Sequence, residues 1–273
     1  MSPELLALSS AFVLAVSSRF TKGLALRFPQ RQLVGPLLLL NSLLVMPFGV
    51  FAEWRLTLTI AALHVASAVT LAVSSFCIFD LFREGSAAAV AVAQAIAPVP
   101  ALIFSVVLLE APTTAVQAVG DVLVSVAVLV ALGPAFGQFS RKRAIVTVVL
   151  AASLQGLLVV LTKLLTDRGV GVTEVYITRT ALAGALAWGL VPPRAIPLRA
   201  IKPLTLRSAL QSSYFLLMIL AVQRGTPATV QTLVATTPLM VLALDTITSG
   251  RRPPARLVGA SVAVVAGVAL AVA

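Results

Sequence analysis

The sequence predicts an all-α, polytopic membrane protein with ten transmembrane helices, arranged as a 5+5 inverted-topology repeat. Three observations carry that prediction. The first is composition: 59% of the 273 residues are hydrophobic and 11% are charged, and the mean hydropathy is +1.06. A soluble domain carries about 25% charged residues, so this chain cannot cover a water-facing surface. The second is run length. Stretches such as 33–52, 115–132 and 257–273 hold almost no charge, and a hydrocarbon core about 30 Å thick is crossed by roughly 20 apolar residues in a helix. The alternation of a membrane barrel is absent from these Ala/Val/Leu runs. The third is repetition. "GSAAAVAVAQAIAPVP" begins at Gly85 and "GTPATVQTLVATTPLM" at Gly225, with Pro98 and Pro238, Ala88 and Ala228, and Val90 and Val230 at one offset of 140.

The spans follow in order, with bounds that are approximate. Span 1, roughly 4–26, opens on "MSPE". A secretory leader carries basic residues there, so this run reads as a true spanning helix, and it ends in "RFPQRQ". Span 2 covers roughly 32–52, is leucine-rich around Asn41, and stops at "EWR". Span 3, roughly 56–80, places His64 near Ser67 and Thr70 and stops at "REG"; span 4, roughly 86–109, is interrupted by Pro98 and stops at "EAP". Span 5, roughly 114–132, contains Gly120 and is followed by the linker "GPAFGQFSRKR". Span 6, roughly 144–166, carries Gln155 and Lys163; span 7, roughly 173–191, carries Arg179 about two turns in. Span 8, roughly 204–222, follows "PPRAIPLRAIKP" and contains Gln211 to Tyr214; span 9, roughly 227–248, is interrupted by Pro238. Span 10, roughly 256–273, sets Gly259, Ala263 and Gly267 in a small-residue seam. Such a seam favours close packing, between spans 5 and 10 or in a homodimer through them.

The repeat runs through the whole chain. Thr21-Lys22 in span 1 meets Thr162-Lys163 in span 6, at an offset of 141. Five is odd, so a duplicated five-helix unit enters the membrane with opposite orientation in its second copy, as in many secondary transporters. The two repeats are expected to cover roughly 1–137 and 138–273. The formal charge of +11 is spread in short clusters between spans, such as Arg141 to Arg143 and Arg251/Arg252/Arg256. That placement is a topology signal rather than a nucleic-acid surface. About fourteen Lys/Arg fall on the odd-numbered connections, which places those in the cytoplasm and both termini outside, in a plasma-membrane protein. Cys77 is the sole cysteine and His64 the sole histidine, which excludes an intrachain disulfide and argues against a dedicated metal site. No cofactor is expected.

Residues that are costly in lipid are the functional candidates. Arg19 and Lys22 share a face of span 1, Lys163 repeats Lys22, and Arg179 stands deep in span 7. Snorkelling to the headgroups is the competing reading for Lys22 and Lys163, and pairing with Glu174 is the competing one for Arg179. Asn41, His64, Gln94, Gln155, Tyr214 and Gln231 are polar candidates for a substrate wall; any of them could instead be interhelical glue. Pro98 and Pro238 break their helices, and a helix broken in lipid must face protein or a wet cavity, so both are candidate gating points. Thr232 and Thr236 fall with Thr229 on one stripe, either lining the cavity or bonding their own helix. Asp80, Asp121 and Asp245 are expected at the membrane interface, which leaves no mid-membrane carboxylate to drive proton-coupled cation export.

These residues resemble the EamA-like branch of the drug/metabolite transporter superfamily. The resemblance rests on the lysine near the end of span 1 with its repeat at Lys163, on Pro98 and Pro238, and on Glu110 with Gly120 around the span 4–5 turn. It implies a transporter of small solutes with a central cavity lined by spans 1, 3, 4, 6, 8 and 9 and operating by alternating access. The sequence departs from the pattern at Leu109, where a glycine usually precedes the acid, and at Gly250, which stands where a second acid would fall. Many relatives are also thought to hold their termini in the cytoplasm. The expected function is secondary transport, by export, of a small polar metabolite such as an amino acid or organic anion through an electropositive cavity. The alternatives are a multidrug or cationic-compound exporter and a non-transporting scaffold. Neither the residues nor the resemblance suggest an enzyme.

Overall fold

The computed structural model describes residues 1–25, 30–84, 87–111, 114–131, 142–193, 201–249 and 255–272. Within these, the side chains at 19–25, 30, 82–84, 87–89, 91–92, 131, 142–144, 242, 245, 248–249, 256–257 and 272 fall outside the description. The described residues form helices and connecting turns, with no strand. α1 is Pro3–Ala25; α2 is Gln30–Val45, continued by a 3-10 turn at Met46–Phe51; α3 is Leu58–Glu84. α4 is in two pieces, Ala87–Ile96 and Pro98–Leu109, and α5 is Ala115–Ala131. The second half has α6 at Lys142–Asp167, α7 at Val172–Leu190 and α8 at Ile201–Arg224. It closes with α9 in two pieces, Pro227–Val234 and Thr237–Ser249, and α10 at Ala255–Val272. Each of the ten expected spans has its helix.

Four stretches, Arg31–Phe51, Leu58–Leu81, Ile145–Asp167 and Ile201–Arg224, are long and apolar enough to cross a bilayer by themselves. The rest of the surface has the same chemistry. Phe12 of α1, Val65 and Val69 of α3, Val107 of α4, Val122 and Val126 of α5, and Val262 and Val265 of α10 all point outward and are exposed. A surface of this kind is stable against lipid tails and a liability in water.

Packing follows the repeat. If helix n of the first half corresponds to helix n+5 of the second, contacts should come in pairs, and they do. α1 packs on α8 as α6 packs on α3; α1 packs on α9 as α6 packs on α4. α2 packs on α8 as α7 packs on α3, while α2–α7, α4–α9 and α5–α10 are contacts between equivalents. Two of these seams depend on missing side chains. A Cβ on Gly35 would stand 2.9 Å from the backbone nitrogen of Trp188, and one on Gly184 2.9 Å from that of Leu39. On the α5–α10 seam, a Cβ on Gly120 would stand 2.4 Å from the Ala271 nitrogen and one on Gly267 2.8 Å from Val124 Cγ2, whereas one on Gly259 would meet nothing within 4 Å. The small-residue seam therefore closes within the chain, and Gly259 lies off it.

The proline breaks are real interruptions. Pro98 starts the second piece of α4 after a turn at Ala97, and in α9 the break falls at Ala235–Thr236, just before Pro238. Broken helices leave carbonyls without backbone donors. In α9 Thr237 Oγ1 supplies the Val234 carbonyl at 2.6 Å, and Thr236 Oγ1 donates at 2.7 Å to the Leu233 carbonyl, which also accepts from the Thr236 backbone nitrogen at 3.2 Å. The α4 break lies tightly on α6, where a Cβ on Gly156 would stand 2.6 Å from the Ala101 nitrogen.

At the end of α4, Glu110 takes a left-handed conformation with φ 51°. A left-handed residue other than glycine costs about 1–2 kcal/mol. Glu110→Gly, which restores a glycine beside the position where Leu109 departs from the pattern, is therefore expected to raise unfolding stability by about 1 kcal/mol. Thermal unfolding of the purified variant checks this.

Candidate functional site

The helices enclose a cavity of about 930 Å³, its open mouth included. Its walls come from α1, α2, α3, α4, α6, α8 and α9. Much of the lining is repeat-related. Leu14, Ser17 and Ser18 of α1 and Gln155, Leu158 and Val159 of α6 all line it, and each pair differs by 141 (155−14, 158−17, 159−18). Leu71, Ser74, Ser75 and Ile78 of α3 and Gln211, Tyr214, Phe215 and Met218 of α8 line it too, each pair differing by 140 (211−71, 214−74, 215−75, 218−78). The cavity thus sits on the axis that relates the two repeats. Its shape is near-symmetric but its chemistry is not: Leu14 faces Gln155 as its equivalent, Leu71 faces Gln211, and Ser75 faces Phe215.

From the centre the cavity extends toward one side. Val34, Leu37 and Leu38 near the start of α2, Val90 and Gln94 in the first piece of α4, Phe79 late in α3 and Arg207 early in α8 complete the lining. All of these lie toward the side that carries the basic connections. The opposite side is closed by contacts between the halves. The Arg55 backbone nitrogen donates to both carboxylate oxygens of Glu174, at 3.3 and 3.2 Å, and His64 Nε2 stands 3.7 Å from Glu174 Oε1. Arg224 Nη1 donates to the Met1 carbonyl at 3.1 Å.

Five of the candidate residues meet in the cavity wall: Asn41, Gln94, Gln155, Tyr214 and Gln231. Asn41 is fully buried, and neither its Oδ1 nor its Nδ2 has a hydrogen-bond partner among the described residues. An unsatisfied buried amide costs about 1–3 kcal/mol, and with no accessible surface Asn41 stands in the wall without presenting its amide to the cavity in this conformation. Tyr214 stacks at 4.8 Å on Phe215, which lies 6.1 Å from Tyr176, and the Tyr176 hydroxyl donates to Ser212 at 2.8 Å. The Tyr214 and Phe215 rings, with Tyr176 packed behind them, make one wall of the cavity apolar.

The other candidates stand elsewhere. Lys163 lies at the far end of α6, paired with Asp167 at 3.0 Å and donating to the Gln223 carbonyl at 3.4 Å. That is the snorkelling alternative, reached because a lysine one turn from a helix end finds partners at the interface. Arg179 is 1% exposed and sits behind the cavity floor, where Nη2 donates to Thr162 Oγ1 at 2.6 Å; Nε and Nη1 have no partner among the described residues. Glu174, its expected alternative partner, is engaged by the Arg55 backbone instead. His64 lies on the closed side, and the carboxylate near it is that same Glu174. Thr236 bonds its own helix, and Thr232 Oγ1 lies 3.0 Å from the Ala228 carbonyl. Threonine hydroxyls in apolar surroundings take the carbonyl one turn back, so the stripe faces away from the cavity and Gln231 alone represents α9 there. Arg19 and Lys22 belong to the last turns of α1, and their side chains lie outside the described residues. Pro98 and Pro238 flank the cavity as helix breaks.

Sequence reasoning missed the charged residue among the described cavity lining, Arg207. Arg207 falls inside span 8 but is absent from the candidates drawn from the sequence; it is 9% exposed, with its guanidinium carbon 5.9 Å from the centre of the Phe79 ring. Its signal was spacing: Arg207, Gln211, Tyr214 and Met218 follow at four, three and four residues, one face of a helix. No Asp or Glu stands among the described lining residues. Asp121 also differs from expectation. It is 2% exposed inside α5, within hydrogen-bond reach of Thr232 Oγ1, rather than lying at the interface. Asp80 does lie near the surface and holds Arg31 by a two-pronged contact.

No curated protein matches this chain. A protein of known crystal structure superposes with a TM-score of 0.77 over 98% of this chain and 94% of its own, at 17% identity. At that identity the likeness speaks for the fold. The profile of the EamA-like transporter family matches residues 1–133 and again 142–273, one match for each five-helix half. With ten helices, a lipid-compatible surface and a doubled family match, the chain is a polytopic membrane transporter and belongs to the EamA-like transporter family.

Proposed function

We propose that the protein exports a small amphipathic solute bearing a carboxylate, such as an amino acid with an apolar side chain or an organic acid, by alternating access in the plasma membrane. The observation that carries the reading is the pairing of Arg207 with an apolar, aromatic wall in a cavity whose described lining holds no acid. A guanidinium matches a carboxylate in two-pronged geometry. Phe79, Tyr214 and Phe215 suit the apolar body, and Gln94, Gln155 and Gln231 bring amide donors and acceptors to it. The chemical inequality of repeat-related positions favours a solute with two unlike ends, bound one way round. A cationic drug finds no counter-charge among the described lining residues, which counts against the multidrug reading.

The basic side is taken as cytoplasmic by the distribution of Lys and Arg, which places the termini outside and makes this conformation the loading state. Exchange of shape between the repeats would close Val34 to Leu38 and open their α7 counterparts around Glu174 to Arg179. The breaks at Pro98 and Pro238 give α4 and α9 places to bend. The test is an untargeted comparison of metabolites in medium and cells, with the protein present, absent or carrying Arg207→Gln. The expected result is a carboxylate solute enriched in the medium only with the wild-type protein. Enrichment of an uncharged or cationic solute, unaffected by Arg207→Gln, would overturn the reading.

A further inference from the structure

The most informative group outside the cavity is Asp121. It lies at the seventh residue of α5, two residues from the helix centre, so it is buried at about mid-depth in the bilayer. Three helices pack on α5: α4, α9 and α10. The charges they carry are few. α4 has none between Ala87 and Leu109; α9 has Asp245 and α10 has Arg256, both at the basic-side ends of their helices. Asp245 is 13 residues along α9 from Thr232 and Arg256 is 11 along α10 from Gly267, about 20 and 16 Å at 1.5 Å per residue. No counter-charge therefore comes from these elements.

What Asp121 does have is Thr232, in the first piece of α9. Thr232 Oγ1 lies within hydrogen-bond reach of two oxygens at once, Asp121 Oδ1 and the Ala228 carbonyl, the latter at 3.0 Å. A hydroxyl has one proton to give. If Asp121 were a carboxylate, both neighbours would be pure acceptors, and the single hydrogen would have to be shared between them in a weaker three-centre bond. If Asp121 is a carboxylic acid, all three groups are satisfied in one chain: the Asp121 hydroxyl donates to Thr232, and Thr232 donates to Ala228.

We propose that Asp121 is a proton-binding site, loaded in this conformation, whose proton is read by α9 through Thr232. On release the O–H bond of Asp121 breaks and the proton passes to water. Thr232 then turns its hydroxyl from the Ala228 carbonyl to the carboxylate, which leaves that carbonyl, in the first turn of α9 and about two turns before the Ala235–Thr236 break, without its side-chain donor. Protonation and the bend of α9 are thereby one equilibrium, which provides a means to couple transport to a proton gradient. This corrects the expectation that no mid-membrane carboxylate exists, and it rests on the fold alone, not on the identity of the solute.

The experiment uses the full-length protein in lipid without solute. Infrared spectra at neutral pH are expected to show a protonated-carboxyl carbonyl band that is lost in Asp121→Asn and shifted in Thr232→Val, where the acid loses its acceptor. Hydrogen–deuterium exchange over 227–234, corrected for the intrinsic pH dependence of amide exchange, is expected to rise with pH in the wild type and to stay flat in Asp121→Asn. A spectrum in which Asp121→Asn removes no such band shows an ionised Asp121 and overturns the proposal. So does an unshifted band in Thr232→Val, or an equal pH response of 227–234 in Asp121→Asn. Neither readout involves a solute, so failure here leaves the carboxylate reading of the cavity standing, and failure of that reading leaves this one.

Discussion

Arg207→Gln is expected to raise the KM for the exported carboxylate by about 10–100-fold, with the maximal rate of exchange changed far less. A hydrogen bond to a charged group contributes about 1.5–3 kcal/mol, and about 1.4 kcal/mol is tenfold in affinity. The effect falls on KM because the guanidinium binds the solute in the loading state rather than driving the conformational step. Arg207 is buried over Phe79 at the cavity wall, so the substitution also removes packing. Arg207→Lys keeps the charge but not the planar fork. It is expected to fall between wild type and Arg207→Gln, closer to the latter. Counterflow in liposomes measures both constants, and equal KM values for all three proteins would remove Arg207 from the binding site.

The second large effect is structural. Gly120→Val is expected to destabilise the protein by about 1–3 kcal/mol or more, the range of overpacked cores. The added Cβ would stand 2.4 Å from the Ala271 nitrogen and 2.6 Å from the Gly267 carbonyl oxygen. These are backbone atoms, so relief requires α5 and α10 to separate along their main seam. Gly259→Val is the control, because nothing lies within 4 Å of its Cβ. It is expected to unfold at the wild-type temperature. Equal loss in both variants would mean that the seam is not where stability resides.

The fold was legible because lipid imposes simple rules. Uncharged runs of bilayer length, proline breaks and a lysine repeated at an offset of 141 were enough for ten helices and their pairing. The site was legible only in part. Uncharged polar residues within the spans, Asn41, Gln94, Gln155, Tyr214 and Gln231, stand at the cavity wall because the apolar bulk of their helices takes the lipid-facing surface. Charged residues misled for a physical reason: a long cationic side chain within reach of an interface or a hydroxyl has places to go besides a cavity, as Lys163 does with Asp167 and Arg179 with Thr162. Arg207 was hidden by the opposite effect. It stands just inside span 8, next to basic residues of the connection that mark topology, so its charge reads as one of theirs; only the packing shows it buried at the cavity wall. Asp121 was hidden because its partner, Thr232, is 111 residues away. Which of two faces a threonine stripe presents is likewise decided by tertiary packing, here against α5 and α10.

The central claim is that Arg207 receives a carboxylate. The most direct test is counterflow of the exported solute against its primary amide, in liposomes holding wild type or Arg207→Gln. The wild type should prefer the carboxylate by about 10–100-fold, the value of one charge-assisted contact, and Arg207→Gln should lose most of that preference. A wild type that exchanges acid and amide equally, or a variant that keeps the full preference, would contradict it.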